Sequence, residues 1–391
     1  MITEMISEMI SEQPNCIRRS DYSLLNFAIA LGAITLGLLA RLPVAAAEQT
    51  ATRVEKPGLF AALILAADAS PARLEELKTA GANTVVFKLK SSSAEAKRDI
   101  RTAATSAEQA GLAFAYWVEV ARSPQLADEH PEWMASLQTH DQWRRFFPDT
   151  PQPKSHEVAK TYPWVPILSR EPFQAQRERV VTLLADLPTP KLIFLNDLQG
   201  APSACGCGNP LCRWTSDYGK RRTTIPLGDD AAALFIKAVE TVSPKSEVIP
   251  VWTTECESHD GSPDGLCAGV GCFDGICWKA YTRQLMPVAA TSERIGVMAT
   301  YKQFQRDIAH YGDAKASWVA FAIRTFETMP PQRGGKAIPA SRTIAVLQGW
   351  NVTSEEIEAQ QKAAREAGAN GYVVAYDEID QGWSPKIISW K

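Results

Sequence analysis

Apolar runs of strand length alternate with helix-like stretches along most of the chain, and this alternation constrains the fold more than any other feature. Eight such runs are rich in Val, Ile, Leu and Phe and lack a clean apolar–polar alternation. Strands that are covered on both faces have this composition, which predicts a parallel sheet. The predicted strands are Leu59–Ala66, Thr84–Leu89, Ala113–Val120, Lys191–Leu198, Glu247–Thr253, Arg294–Thr300, Thr343–Gly349 and Gly371–Tyr376.

Helical patterns lie between these runs. Five of them are Pro71–Ala80, Ala94–Ala110, Glu171–Leu187, Asp229–Val242 and Ser354–Ala367. Strand–helix alternation repeated eight times predicts the α/β class and a (β/α)8 TIM-type barrel. An open doubly wound sheet is the alternative.

A repeated tetrapeptide favours the closed barrel. Ala-Gly-Ala-Asn occurs at Ala80–Asn83 and again at Ala367–Asn370, each time between a helix and a strand. The glycine can adopt a positive φ and so end the helix. The two units lie near opposite ends of the chain, which a closing barrel brings together. Independent use of a common helix stop is the other explanation.

The N-terminal region has the composition of an export signal. Arg18-Arg19 precedes the apolar run Leu24–Ala40, and Ala45–Ala47 supplies a small-residue cleavage site. These features predict a signal peptide at 1–47, a single barrel domain at 48–391, and a periplasmic or extracellular location. The alternative is an uncleaved membrane anchor, although the run is short for a spanning helix.

Overall composition excludes one class of partner. The 391 residues are 45% hydrophobic and 22% charged, as in ordinary globular proteins. A net charge of -3 provides no basic surface for nucleic acid. Apart from the N-terminal run, no segment is apolar enough to span a bilayer, so we expect no membrane partner beyond the export signal or anchor.

Seven cysteines fall in the long loops predicted after the fourth and fifth strands. They are Cys205, Cys207, Cys212, Cys256, Cys267, Cys272 and Cys277. An oxidising compartment favours disulfides, but an odd number leaves one thiol unpaired. The alternative is zinc, held by Cys205, Cys207, Cys212 and one thiolate of the second group such as Cys256. Disulfides are the preferred interpretation, and no other cofactor is indicated.

Acidic residues close several predicted strands, at the face where barrels carry their sites. Asp197, Glu119 and Glu255 are the candidate catalytic residues, in that order. Asp377 and Glu378 follow the last strand and are candidate binding residues. Two facing carboxyl groups are what glycoside hydrolysis requires. Acids at strand ends also occur in solvated loops or as helix caps, which is the structural alternative.

Other residues near the strand ends would suit a carbohydrate ligand. Trp117, Trp252 and Trp350 would offer exposed rings to the apolar faces of sugars. Asn196 and Gln199 would bind hydroxyl groups. Each tryptophan is also an ordinary packing residue, so the set carries more weight than its members.

Four segments resemble a known protein family. They are Tyr116–Arg122, His130–Trp133, Leu195–Gly200 and the Cys-Gly-Cys stretch through Cys212–Trp214. The family comprises uncharacterised exported bacterial proteins that are similar to glycoside-hydrolase-like TIM barrels. The resemblance runs through nearly the whole mature chain and implies the fold more than the activity.

A partial resemblance to the large retaining clan of barrel glycosidases limits the mechanism. Asn196-Asp197 is similar to the Asn-Glu pair that ends the fourth strand in that clan, with Asp in place of the acid/base Glu. The clan's nucleophile ends the seventh strand, where this chain has Gln348. The two-glutamate mechanism therefore does not transfer, and an inverting arrangement or loss of catalysis remains open.

Three functional hypotheses follow. The first is an exported barrel that acts on a polysaccharide or glycoside. The second is a non-catalytic carbohydrate-binding or envelope scaffold protein, favoured by Gln348. The third is a cysteine-ligated metalloprotein. The fold alone cannot choose among them, because barrels carry many unrelated chemistries.

Overall fold

Eight parallel strands pair edge to edge and close into a barrel. The computed structural model describes residues 58–134, 148–167, 170–198, 231–252, 278–302, 316–332, 335–379 and 384–389. The barrel strands are β1 (Leu59–Ile64), β2 (Thr84–Lys88), β3 (Ala113–Glu119), β5 (Leu192–Asn196), β6 (Glu247–Trp252), β7 (Ile295–Met298), β8 (Thr343–Gln348) and β9 (Gly371–Ala375). Each lies within one of the eight predicted strands, so the predicted (β/α)8 class is confirmed.

Strand β1 pairs with both β2 and β9, and this double pairing excludes the open sheet. The Ala-Gly-Ala-Asn units therefore lead into the strands on either side of β1. Both glycines end a helix in the left-handed region, with φ of 94° at Gly81 and 84° at Gly368. The predicted closure of the barrel, which brings the two units close together, is confirmed.

Helices surround the barrel. They are α1 (Pro71–Thr79), α2 (Ala94–Gln109), α3 (Pro124–Glu129), α4 (Arg170–Ala185), α5 (Ala231–Val242), α6 (Trp278–Thr291), α7 (Ser317–Gln332) and α8 (Ser354–Glu366). The hydroxyl groups of Ser70, Ser93 and Thr353 accept backbone hydrogen bonds at the N-termini of α1, α2 and α8. None of the helices in the described part of the chain has the length and apolar character that crossing a membrane requires.

Alternate side chains of each strand form two apolar layers. One layer fills the barrel, and Trp117 stacks on Phe194 there with ring centroids 5.8 Å apart. The other layer lies between the strands and the helices and includes Phe87, Tyr116 and Trp252. This two-residue period decides which strand-end side chains face the barrel interior.

Two further strands form a small separate sheet that the sequence analysis did not predict. Strand β4 (Glu157–Tyr162) lies in the long connection between β3 and β5, and β10 (Ser384–Ser389) follows the last barrel strand. They pair antiparallel, with Ser384 opposite Tyr162 and Ser389 opposite Glu157. The described part of the segment that follows β9 therefore contains a strand.

Closure of the barrel depends on a glycine at the start of β9. A Cβ atom on Gly371 would lie 2.1 Å from the carbonyl oxygen of Leu59, which is backbone and has little freedom to move. We expect Gly371→Ala to lower the free energy of unfolding by about 3 kcal/mol. Gly81→Ala is the control, because its Cβ meets nothing within 4 Å and its φ alone costs about 1 kcal/mol. Equal losses in urea unfolding would contradict this account of closure.

Candidate functional site

The last residues of four barrel strands form a polar layer above the apolar interior. These residues are Lys88, Glu119, Asn196 and Gln348. Each lies two residues after a side chain that packs inside the barrel, and because side chains alternate between the two faces of a strand, each of the four also faces inward. They lie at the carboxyl ends of the strands, which is the face where barrels place their chemistry.

Glu119 is the centre of this layer. Its Oε1 accepts a hydrogen bond of 2.9 Å from Trp117 Nε1. Its Oε2 accepts two more, from Arg122 Nη2 at 2.7 Å and from Asn196 Nδ2 at 2.8 Å. The side chain is only 14% exposed. A buried carboxylate with this many donors is held in one orientation.

Asp197 shares two of these donors. Its Oδ2 accepts from Arg122 Nε at 2.9 Å and from Asn196 Nδ2 at 3.2 Å. Glu119 Oε2 and Asp197 Oδ2 therefore lie close together, because both accept a hydrogen bond from the same atom, Asn196 Nδ2. The guanidinium group of Arg122, which is 8% exposed, thus pairs with two acids from neighbouring strands.

The backbone of Asp197 has an unusual conformation. Its φ is 60°, in the left-handed region that residues other than glycine rarely adopt. Asp and Asn tolerate this region better than other side chains, which accounts for the residue type. Strained residues of this kind concentrate at active sites and ligand-binding sites. The turn here follows directly on β5.

The charge on Glu119 is fixed by its neighbours. Burial by itself raises the pKa of Glu119, but the positive charges of Arg122 and Lys88 and the hydrogen bonds from Asn196 and Trp117 outweigh it. The net effect lowers the pKa of Glu119 below its ordinary value. Glu119 is therefore a carboxylate at neutral pH.

Lys88 connects the polar layer to the residues that follow β9. Its Nζ donates to the carbonyl oxygens of Glu378 at 2.7 Å and Ile379 at 3.2 Å. Asp377 Oδ2 lies 3.4 Å from Lys88 Nζ and 3.1 Å from Lys90 Nζ. Burial lowers the pKa of Lys88, and the charges of Glu119 and Asp377 oppose that shift. Lys88 is thus buried at the barrel mouth, and Lys90 is the more exposed of the two lysines.

The prediction of an exposed ring is wrong for two of the three tryptophans. Trp117 and Trp252 are fully buried, so neither offers an exposed ring to a sugar. Trp117 instead packs inside the barrel and donates to Glu119, while Trp252 packs in the layer between strands and helices. Trp350 is partly buried against the interior layer. Glu378 contributes its carbonyl oxygen, and its side chain is exposed.

Several predicted residues lie outside the described residues. They are Gln199, Glu255 and the seven cysteines of the two long loops. Their roles stay predictions, as does the choice between disulfides and zinc. Within the described ranges, no group of three side chains is arranged to hold a metal ion.

The sequence analysis missed the residues that hold the acids. Arg122 lies three residues after Glu119, but that spacing brings side chains together only on a helix, and Glu119 ends a strand. Gln176 on α4 is fully buried and donates to the carbonyl oxygens of Glu119 and Val120 at 3.1 and 2.8 Å. No local pattern could have found Gln176, because it lies on a different element.

Comparisons with known proteins find only distant structural neighbours. No protein-family model and no curated protein matches the sequence. An alpha-L-fucosidase isoenzyme 2 from Paenibacillus thiaminolyticus is 11% identical, with a TM-score of 0.43, over 81% of this chain and 46% of that one. The galactosidase domain of an alpha-galactosidase–sucrose kinase is also 11% identical, with a TM-score of 0.42, over 83% and 38%.

A D-psicose 3-epimerase is 10% identical, with a TM-score of 0.40, over 83% of this chain and 87% of that one. The chain spans less than half the length of the two glycosidases. Glycosidases and an epimerase thus both resemble it at low similarity. The barrel follows from the strand pairing itself, and any assignment of chemistry depends on the residues of this chain.

The lowered pKa of Glu119 predicts a pH-dependent stability. A carboxyl group with a lowered folded pKa stabilises the fold above its ordinary pKa of 4.5, and that stability is lost as the pH falls through the folded value. We expect Glu119→Gln to lower the free energy of unfolding by about 3 kcal/mol at pH 7, because it breaks a buried ion pair. The loss should shrink as the pH falls below 4.5.

Urea unfolding at several pH values measures this difference, with tryptophan fluorescence as the signal. Glu366→Gln is the matched control, because both side chains of the Glu366–Lys362 ion pair are exposed and such a pair contributes little to stability. If Glu119→Gln lowered the free energy of unfolding by the same amount at every pH, the assignment of a negative charge to Glu119 would be contradicted.

Proposed function

We propose that the chain is a glycoside-hydrolase-like barrel that acts on a glycoside or polysaccharide, with Glu119 and Asp197 as its reacting carboxyl groups. The observation that carries the proposal is the sharing of Arg122 and Asn196 by two acids at the ends of adjacent barrel strands. Paired carboxyl groups at the mouth of a barrel are the machinery of glycoside hydrolysis.

The spacing of the two acids supports a retaining reaction. In retaining enzymes the carboxyl groups lie roughly 5–5.5 Å apart, and in inverting enzymes about 6.5–9.5 Å, which leaves room for a water molecule. Bonds of 2.8 and 3.2 Å to one Asn196 nitrogen keep the nearest oxygens of Glu119 and Asp197 closer than the inverting range. The Glu119–Asp197 pair differs from the acid pair of the large retaining clan of barrel glycosidases. In that clan the nucleophile ends the seventh barrel strand, which is β8 here and ends in Gln348.

The surroundings of Glu119 favour the role of nucleophile, because three hydrogen-bond donors and the charges of Arg122 and Lys88 stabilise its carboxylate. Glu119 is the nucleophile, since it is ionised at neutral pH. It attacks the anomeric carbon while Asp197 gives a proton to the departing glycosidic oxygen. A water molecule then releases the sugar from Glu119, and Asp197 takes the proton of that water. Arg122 and Asn196 hold both carboxyl groups in position.

A second candidate is a barrel that binds carbohydrate without hydrolysing it. Both oxygens of Glu119 already accept hydrogen bonds, and Arg122 forms ion pairs with both acids. Such a network also suits a purely structural ion pair. In this case the mouth of the barrel would bind glycans as a scaffold or binding protein of the cell envelope.

Asp197→Asn separates the two candidates. Asn tolerates the left-handed backbone at this position, so the fold should persist. The amide cannot donate and recover the proton, so we expect kcat on a panel of 4-nitrophenyl glycosides to fall by about a thousandfold or more. Asp186→Asn is the matched control, because Asp186 lies on the surface and pairs with Lys97.

Retained turnover in Asp197→Asn would contradict the acid/base role. Glycan-array binding by the wild type without turnover of any bound glycan would favour the binding protein instead. Turnover by the wild type and its loss in the variant would support the hydrolase.

We also propose that the protein is exported and that its cysteines pair after export. The support is the run Leu24–Ala40 followed by Ala45–Ala47, together with the seven cysteines beyond it. The intact mass of the secreted protein should correspond to a chain that begins at Glu48, with one thiol open to alkylation and three disulfides. A mass that includes 1–47 would contradict cleavage. Bound zinc with several open thiols would favour the metalloprotein.

A further inference from the structure

A buried glutamine holds the chain at the point where it leaves β3. Gln176 on α4 is fully buried, and its Nε2 donates to the carbonyl oxygens of Glu119 at 3.1 Å and Val120 at 2.8 Å. Consecutive carbonyl groups of an extended strand point to opposite sides, so one nitrogen can bond both only where the backbone bends. The backbone does bend at Val120 and Ala121. Gln176 therefore fixes this bend directly.

The bend explains how Arg122 reaches back to Glu119. Residues three apart in a straight strand lie on opposite faces, whereas here Arg122 Nη2 lies 2.7 Å from Glu119 Oε2. Beyond the bend, Val165 N donates to Ala121 O at 2.7 Å, and the backbone of Arg122 pairs with that of Trp164. The chain is thus held by the buried glutamine on one side of the bend and by these backbone contacts on the other.

The same glutamine compensates for the left-handed turn at Asp197. Val120 N donates to Asn196 O at 2.9 Å, at the end of the β3–β5 ladder. In a continued parallel ladder the Val120 carbonyl oxygen would accept from Leu198 N. The turn at Asp197 ends β5, and Gln176 donates to that oxygen instead. A buried carbonyl without a partner would cost free energy, so Gln176 stabilises the backbone beside both acids.

The orientation of the Gln176 amide is itself fixed. Its Oε1 accepts a hydrogen bond of 2.9 Å from Arg179 Nε on the next turn of α4. Because a guanidinium group can only donate, the amide must turn its oxygen to Arg179 and its nitrogen to the bend. Both ends of the side chain are therefore used, and the amide has one favourable orientation.

Charged groups of the described residues face Glu119 from the neighbouring strands. Lys88 ends β2, Arg122 follows β3 and Asp197 follows β5. Arg122 and Lys88 lower the pKa of Glu119, with Arg122 having the larger effect, and Asp197 shares two of its donors. Asp377, which follows β9, lies against Lys88. Arg122 is thus the main positive charge beside Glu119, and its backbone follows the bend.

We propose that Gln176 is a positioning residue, which holds the backbone between Glu119 and Arg122 in its bent form and so keeps the guanidinium group against both acids. It acts through Arg122 and without contact to the reacting carboxyl groups. The alternative is that Gln176 only satisfies two buried carbonyl groups, which would affect stability and leave the charge of Glu119 unchanged. The kinetic consequence rests on the proposed function of the Glu119–Asp197 pair, whereas the charge of Glu119 can be measured without it.

Carboxyl titration by NMR tests the proposal. The protein is labelled with glutamate that carries carbon-13 at the side-chain carboxyl group, and the Glu119 signal is assigned by its loss in Glu119→Gln. Gln176→Met keeps the length of the side chain and removes its donors. We expect the pH midpoint of Glu119 to rise by about one pH unit or more in Gln176→Met, because Arg122 moves away from the carboxylate. An unchanged midpoint in the folded variant would overturn the proposal.

Gln360→Met is the matched control. Gln360 on α8 is also fully buried, its Oε1 accepts from Gln348 N at 3.0 Å, and its Nε2 donates to Gln348 O at 2.8 Å. It holds the end of β8, a strand that carries neither acid. We expect the control to lose stability in urea, as Gln176→Met does, with the midpoint of Glu119 unchanged. An equal rise of the midpoint in both variants would show that loosening any strand end has this effect, and would overturn the specific role of Gln176.

Kinetics supply a second readout where the wild type hydrolyses a glycoside. We expect Gln176→Met to lower kcat about tenfold or more with little change in KM, because the variant displaces the reacting groups. The acidic limb of kcat/KM should move to higher pH together with the midpoint of Glu119, since the nucleophile must be ionised. A raised KM with an unchanged pH profile would overturn the positioning role. Absence of turnover in the wild type counts against the proposed hydrolase, and the titration then decides this inference alone.

A second variant covers the case in which Gln176→Met does not fold. Gln176→Asn keeps the amide but shortens the side chain by one methylene group, so the amide no longer reaches both carbonyl oxygens. We expect the midpoint of Glu119 to rise in this variant too, and no rise would overturn the proposal. Failure of both variants to fold while Gln360→Met folds would also overturn it, because Gln176 would then be a requirement of the fold.

Discussion

The pairing of one guanidinium group with two carboxyl groups is the interaction on which the candidate site depends. Glu119 and Asp197 come from adjacent strands and are largely buried, and two negative charges so close together would repel in a medium of low dielectric constant. Arg122 pairs with both acids, and Asn196 donates to each. One positive charge offsets only one of two negative charges, so the arrangement favours one carboxylate and one protonated acid, which is the state that the proposed proton transfer from Asp197 requires.

The barrel explains why these residues meet. Its strands are in parallel register, and Glu119 lies directly opposite Asn196 in the β3–β5 pairing. The two-residue period then turns both side chains inward, above Trp117 and Phe194. The packed apolar side chains inside the barrel lie beneath Glu119, and Trp117 connects the two by donating a hydrogen bond to the carboxylate. A tryptophan that was expected to bind sugar is thus part of the support for the acid.

The segment that follows β9 contacts the polar layer at the barrel mouth. Lys88 donates to the carbonyl oxygens of Glu378 and Ile379, and Ile379 is buried against the apolar layer inside the barrel. These contacts join the end of β2 to residues almost 300 positions away in the chain. Further along, Ser384–Ser389 completes a two-stranded sheet with β4.

The sequence by itself determined the barrel and the position of its acids, because these depend on local signals. Apolar runs, capping residues and the helix stops at Gly81 and Gly368 act over a few residues, and a carboxylate at a strand end is visible directly. Only the tertiary structure decided the partners of those acids and the burial of Trp117 and Trp252. Contacts such as Gln176 with the end of β3, or β10 with β4, join residues far apart in the chain. Their energy depends on the closed barrel, which no local pattern encodes.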